Sequence, residues 1–375
     1  MVRELADALS LDVNFHGKTR CWVVTDPGVR DAGLLDYLLE SLNVRSLDVV
    51  GVSDDPIGEA AGSGISEMVR LAREEKPDFW IALGGGSVMA SCKAAAVLES
   101  NGGKLNDYIG ENRVEKETKP IICIPTTAGT GSEVSSQALI MDGKTKKRLM
   151  RMMSDYKFIP KIAILDSELT RTLPAHLVAT TGLHALYNAI SGLNSELSAS
   201  LSLKAIEILI NNLVEAFQNN ALDQDVRSKM LLAATMGGIA SQSIPPGVEQ
   251  SIGNTAAGLY GLHYGLAISI AKLHVMEYNL KVLDPTYAIL ARAIGVKNRG
   301  LSDESLGLKA IEKLRELYTK VGVKLTYKEY GCPIGHDSIE KFIGQSLDIG
   351  QTGFNPTQIG RSPKFEKLVR NCIGV

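Results

Sequence analysis

The chain is poor in the features that announce a specialised environment. Its 375 residues carry a net charge of only −2, so no basic face stands ready for nucleic acid. Five cysteines, Cys21, Cys92, Cys123, Cys332 and Cys372, lie far apart, and no two have metal-ligand or redox spacing. They read as buried thiols in a reducing compartment. No uncharged run reaches the length needed to span a bilayer, and Arg3, Glu4, Asp7 and Asp12 argue against a secretory leader. Neither an internal repeat nor a low-complexity tract is present. With 45% hydrophobic and 22% charged residues, the expectation is a soluble cytoplasmic protein that meets a small molecule, not a membrane or a nucleic acid. At this length two domains are expected.

What is present begins at Asp78. The apolar run Phe79–Leu83 stops at Gly84, Gly85 and Gly86; Ser87 follows, and helix-spaced apolar residues start at Val88. Strand, glycine turn, helix is one way to cradle a pyrophosphate, because the glycines admit the backbone to a bulky anion and the helix N–H groups favour negative charge. The alternative is a tight turn packed on its own sheet. Context leans toward the cradle. Short apolar runs at 19–25, 47–52, 79–83, 120–125 and 161–166 alternate with helical patterns at 34–42 and 65–75. Such alternation indicates a mostly parallel sheet covered by helices, with ligands at the carboxyl ends of its strands. Asp26, Gly84–Ser87 and Thr126–Glu133 all fall at such ends. From about Leu177 helical patterns take over, so the expected division is an α/β dinucleotide-binding domain over 1–174 and an all-helical domain over 175–375.

The segment Thr126-Thr-Ala-Gly-Thr-Gly-Ser-Glu-Val134, with Gly84-Gly-Gly-Ser87, Asp166-Ser-Glu-Leu-Thr170-x-x-Leu173-Pro174, His274-Val-Met-Glu-Tyr-Asn279 and Asn355-Pro356, resembles the iron-containing (group III) alcohol dehydrogenases. The resemblance spans nearly the whole chain. It implies a Rossmann-like nucleotide domain followed by a helical metal-and-substrate domain, and it is compatible with a homodimer. By that resemblance Gly84, Gly85, Gly86 and Ser87 hold the pyrophosphate, and Thr126, Thr127, Thr130 and Ser132 line the cofactor site. Asp26 stands where the adenosine ribose is read; a carboxylate there accepts from the 2′-hydroxyl and repels a 2′-phosphate, favouring NAD(H) over NADP(H). Asp26 also suits a turn before Pro27-Gly28. One departure is Ala90, where the family carries Asp three residues after the loop serine. Lys144, Lys146, Lys147, Arg148 and Arg151 form a basic run that reads as a solvated face, although Lys147 or Arg148 could match a cofactor-contacting lysine of the family.

The metal half departs further. The family binds a divalent metal through one Asp and three His. At the matching positions this chain has His184 and Asn188 in Gly182-Leu-His-Ala-Leu-Tyr-Asn188, then Gln250 and Tyr264; Asn254 replaces a further histidine important for activity. Two amides, one imidazole and one phenol are a poor set for iron or zinc. His263, beside Tyr264, adds one imidazole and no negative charge. No metal is therefore expected. Without one, a carbonyl accepting hydride needs a proton donor or a fixed hydrogen bond in its place, and His184, Tyr264 and His263 are the candidates. Tyr187, Asn188, Gln250 and Asn254 are expected to line the pocket. Each of these is equally able to be a satisfied polar residue filling a vacated hole. His16, His176 and His336 lack motif context. The expectation is a metal-independent NAD(P)(H) oxidoreductase acting on a small aldehyde, ketone or imine. The alternatives are a lyase, isomerase or cyclase with retained NAD, and a non-catalytic nucleotide-binding partner protein.

Overall fold

The computed structural model describes residues 13–375 except 45, 55–60, 143–148, 220, 243, 350–354 and 358. The N-terminal charges Arg3, Glu4, Asp7 and Asp12 and the basic residues Lys144, Lys146, Lys147 and Arg148 lie outside the described residues. The chain divides into two compact units, one ending at Leu173 and the other starting at Pro174.

In the first unit, strands β1 (Arg20–Val24), β2 (Asp48–Ser53), β3 (Phe79–Gly84), β5 (Ile121–Pro125) and β8 (Ile162–Ala163) form one sheet in the order β2-β1-β3-β5-β8, all parallel. Alternation along these strands feeds two cores. Trp22, Val24, Trp80, Ala82 and Cys123 pack on one side with helices α3 (Ala61–Glu75) and α4 (Gly86–Asn101). Cys21, Val23, Phe79, Ile81, Leu83, Ile122 and Ile124 pack on the other with Leu35, Leu38 and Leu42 of α2 (Leu34–Asn43). A sheet buried on both faces explains why its strands read as near-continuous apolar runs. After β2 the chain returns to the far side of β1 to form β3, so the topological switch point lies between β1 and β3. Thr25 Oγ1, donating to the Leu83 carbonyl at 2.9 Å, ties those two carboxyl ends together.

A second, three-stranded sheet was not expected. It has the order β4-β7-β6, with β4 (Gly110–Glu111) parallel to β7 (Leu149–Ser154) and β6 (Gln137–Asp142) antiparallel to it. The signal was the alternation of Ala138 and Ile140, which face the core. The expected strand at 161–166 is cut to Ile162–Ala163 because Asp166 caps a 3-10 turn, accepting from Glu168 N.

The second unit contains no strand among its described residues. Helix α5 (Ala175–Gly192) is buried along nearly all its length and packs against α6 (Glu196–Asn219), α7 (Gln224–Ser241) and α9 (Tyr264–Ala293). Helix α6 is long and apolar enough by composition to cross a bilayer. Its buried residues 198, 202, 205, 206, 209, 213 and 216 instead form a helical stripe facing protein. The remaining helices are α8 (Val248–Tyr260), α10 (Asp303–Lys320), α11 (His336–Asp348) and α12 (Pro363–Ile373). Helix α9 is two helices joined across a kink at the non-helical Leu283, just before Pro285. Helix α9 begins at Tyr264, three residues after the left-handed Gly261 that ends α8.

Candidate active site

The glycine turn closes onto the threonine loop. A Cβ on Gly86 would stand 2.5 Å from Thr130 Cγ2, one on Gly85 would meet Thr127 Oγ1 at 3.3 Å, and one on Gly84 would strike Val88 at 2.5 Å. Gly84 thus serves the return of α4 onto its strand, while Gly85 and Gly86 admit the neighbouring loop. Thr126 N donates to the Gly84 carbonyl at 3.1 Å and locks the two loops in register. Gly85 is the N-cap of α4 and offers no side-chain cap; the first helical bond is Met89 N to Gly85 O. The N–H groups of Gly86, Ser87 and Val88 therefore precede the helical ladder, as an anion-binding terminus requires. Ser87 is exposed, and Gly85, Gly86, Thr127 and Thr130 are half-buried. These residues fit a pyrophosphate.

Asp26 lies at the end of β1, across the switch point from the turn. Its Oδ1 accepts from Val29 N at 3.0 Å and caps the short helix α1 (Pro27–Asp31), so one carboxylate oxygen is committed to the turn. Ser132 is buried; its N donates to Thr130 Oγ1 at 3.1 Å and its own oxygens accept from Lys93. Ser132 therefore shapes the loop from within. Ala90, in place of the family's aspartate, is buried on α4.

Lys93, on the same helix as Ala90, supports this loop from beneath. It is wholly buried, and its Nζ donates to the carbonyls of Ser132 (2.7 Å), Ser135 (2.7 Å) and Gln137 (3.0 Å). Burial lowers its pKa to about 8, opposed by the charge of Glu133. The ammonium is thus the anchor of the loop that follows the threonines.

In the second unit, His184, Tyr187, Asn188 and Ser191 recur at the three- and four-residue spacing of one face of α5. The rings of His184 and Tyr264 meet edge to face at 5.4 Å, and Tyr187 lies 6.0 Å from His184. Gln250 on α8 hydrogen-bonds the Tyr187 side chain, and Ser191 Oγ donates to the Tyr187 backbone carbonyl at 2.9 Å. The structure therefore brings together His184, Tyr187, Gln250 and Tyr264. Asn188 is buried, with its Cβ 3.5 Å from the position a Cβ on Gly237 of α7 would take; Asn254 is buried within α8. His263 is an exposed residue capping α9, near enough to act on His184 through its charge. His16, His176 and His336 are all exposed.

The cluster is electrically quiet at its centre. Burial, and to a lesser degree His263, push the His184 pKa down to about 3, so its imidazole is neutral at physiological pH. Gly265 fits tightly beside it: a Cβ there would lie 3.1 Å from His184 Cβ and 3.2 Å from its Nδ1. That Nδ1 is buried with no hydrogen-bond partner among the described residues. Burial and the charge of Glu249 raise the Tyr264 pKa.

Two charges at the cluster's edge were not foreseen. Lys272 of α9 and Glu249 of α8, 6% exposed each, pair at 2.8 Å. Lys272 Nζ also lies 5.4 Å from the Tyr187 ring centroid and 3.4 Å from Ser191 Oγ. Lys272 interrupts the apolar run Leu266–Leu273, which signals a buried charge needing a partner, but its partner 23 residues upstream has no sequence mark.

Residues 3–167 match the iron-containing alcohol dehydrogenase family and residues 178–364 match the Fe-containing alcohol dehydrogenase family, C-terminal region. The chain therefore belongs to the iron-containing alcohol dehydrogenase family, and its fold and kinship make it a dehydrogenase. It is 29% identical over 361 residues to the NAD-dependent methanol dehydrogenase of Bacillus methanolicus, covering 95% of this chain and 93% of that one. It is 28% identical over 372 residues to the NADPH-dependent butanol dehydrogenase of Clostridium saccharobutylicum, covering 96% and 92%. In fold it is similar to the alcohol dehydrogenase from Oenococcus oeni, with a TM-score of 0.91, 24% identity, and 99% and 96% of the two chains covered.

The family implies iron, and the donors present do not fit it. At the four positions stand His184, Asn188, Gln250 and Tyr264; the single imidazole has one nitrogen pressed against Gly265, and the carboxylate of Glu249 is matched by Lys272. Among the described residues no group of three or more His, Cys, Asp or Glu side chains is placed to hold a metal ion.

Proposed function

We propose that this chain is an NAD(H)-preferring oxidoreductase that interconverts a small alcohol with its aldehyde or ketone, or reduces an imine, without a resident divalent metal. The observation that carries the reading is the contrast within one chain. The loops suited to a dinucleotide are assembled, while the position of the metal is taken by residues that make hydrogen bonds and coordinate poorly. Relatives named for methanol and butanol support a small substrate.

When bound, the dinucleotide supplies or accepts the hydride. Gly85, Gly86, Ser87 and the N–H groups of α4 hold its pyrophosphate, Thr126, Thr127 and Thr130 line its site, and Asp26 reads the ribose with the carboxylate oxygen that Val29 leaves over. Tyr264, and His184 as a neutral imidazole, hold the carbonyl oxygen by hydrogen bonds fixed before reaction. Such preorganised donors take up developing negative charge that a metal takes up elsewhere. Tyr187, Asn188, Gln250 and Asn254 complete the polar lining, with His263 at the solvent edge. We place the protein in the cytoplasm as a homodimer whose partner is a small molecule.

The test is NADH oxidation with a panel of short aldehydes, ketones and imines, before and after exhaustive chelation, with metal content measured in parallel. Activity that survives chelation in protein holding well under one metal per chain is expected. Stoichiometric iron or zinc, or loss of activity restored by adding metal, would refute the metal-free reading. Substrate consumed with no net change in NADH would point instead to a lyase or isomerase.

A further inference from the structure

We propose that Tyr187 is the proton donor of this pocket, that Lys272 held by Glu249 is the residue that charges and positions it, and that the substrate is an uncharged aldehyde or ketone. This rests on the oxidoreductase reading above.

The pair is costly to keep. Two opposite charges taken from water into a helical core usually gain no more from each other than they lose in hydration. Stability alone therefore does not account for Lys272 and Glu249 at 6% exposure each. Their placement does suggest a use. Lys272 Nζ sits 5.4 Å from the centre of the Tyr187 ring, while Glu249 and Ser191 hold the ammonium there, at 2.8 Å and 3.4 Å. A buried phenol that gives up its proton becomes an anion in a poor solvent, and burial with the Glu249 charge raises the Tyr187 pKa well above its usual range. A fixed ammonium at the ring face, with a hydrogen bond to the phenol from Gln250, opposes that penalty. Among the described residues no cation is so placed over the ring of His184 or of half-buried Tyr264.

In the reducing direction the carbonyl carbon gains the hydride of the reduced nicotinamide, and the carbonyl oxygen takes the proton of Tyr187 Oη. A C–H and an O–H bond of the alcohol form as the tyrosine O–H bond breaks; the carbon is reduced and the nicotinamide oxidised. The phenolate regains its proton from solvent before the next turnover. Because the two buried charges already neutralise each other, this ion pair offers an anionic substrate no free cation.

The experiment compares wild type with Tyr187→Phe, Lys272→Met and the double variant Lys272→Met/Glu249→Gln, which leaves no lone charge buried. Steady-state kinetics are joined to calorimetric binding of NADH, and of isobutyramide (an unreactive carbonyl) to the NADH-loaded protein. We expect kcat to fall about 100-fold or more in Tyr187→Phe and in the double variant, with NADH affinity unchanged. The losses should not multiply when combined, as for residues acting as one unit. Isobutyramide affinity should fall about tenfold in Tyr187→Phe, the loss of one good hydrogen bond. Wild type should prefer propanal to glyoxylate. Near-normal kcat and amide affinity without Tyr187, or normal kcat without the ion pair, would overturn this proposal alone. A glyoxylate preference would overturn its substrate class. Failure of wild type to reduce any carbonyl would overturn the oxidoreductase reading and this one with it.

Discussion

Replacing His184 with Gln is expected to make the protein less sensitive to acid. Burial holds the folded imidazole at a pKa of about 3, whereas in the unfolded chain it titrates near ~6.5. The unfolded state therefore binds the proton first. Above about pH 6.5 the imidazole is neutral in both states and contributes nothing to the pH dependence; as pH falls from there toward about 3, protonation favours unfolding and stability is lost. At about pH 5 the unfolded chain gains RT ln(1 + 10^1.5), roughly 2 kcal/mol, that the folded protein does not. Urea unfolding of wild type and His184→Gln at about pH 7.5 and about pH 5 isolates this quantity, since other titrating groups, such as His274, cancel in the double difference. Both tryptophans, Trp22 and Trp80, lie in the first unit, so far-ultraviolet circular dichroism is the better probe of the helical one. The wild type should lose about 2 kcal/mol more than the variant on acidification. A double difference near zero would mean that His184 titrates as it does in water, and the neutral hydrogen-bond donor invoked above would fall.

Gly86→Ala should weaken NADH binding at least tenfold in a fluorescence titration, because its Cβ would lie 2.5 Å from Thr130 Cγ2 and force the two loops apart; unchanged affinity would remove the cradle. Asp26→Ala should cost about 1 kcal/mol of stability through the lost cap on α1 and raise the ratio of kcat/KM for NADPH over NADH. Lys93→Met leaves the carbonyls of Ser132, Ser135 and Gln137 without their donor, so it should lower the unfolding free energy by about 3 kcal/mol or more and raise the Kd for NADH. A stable variant with normal NADH affinity would show that the loop does not depend on that anchor.

The α/β half was legible in the sequence because its determinants are local. Phe79–Leu83 must be a strand between two layers, Gly84–Gly86 must turn, and Val88 onward must be a helix; each follows from neighbours a few residues apart. The β6–β7 sheet was missed though its alternation was visible, whereas the kink of α9 at Leu283 falls just before Pro285, where the residue type announces a break.

The chain's sequence alone determined the fold class, the alternation of strand and helix, and the chemical poverty of the metal positions, since all three depend on residue type and short-range spacing. Tertiary structure decided who answers whom. Glu249 and Lys272 lie 23 residues apart on different helices, and Lys93 reaches carbonyls 39 to 44 residues away. A buried charge must find a counter-charge or acceptors, but only the crossing of the helices selects which.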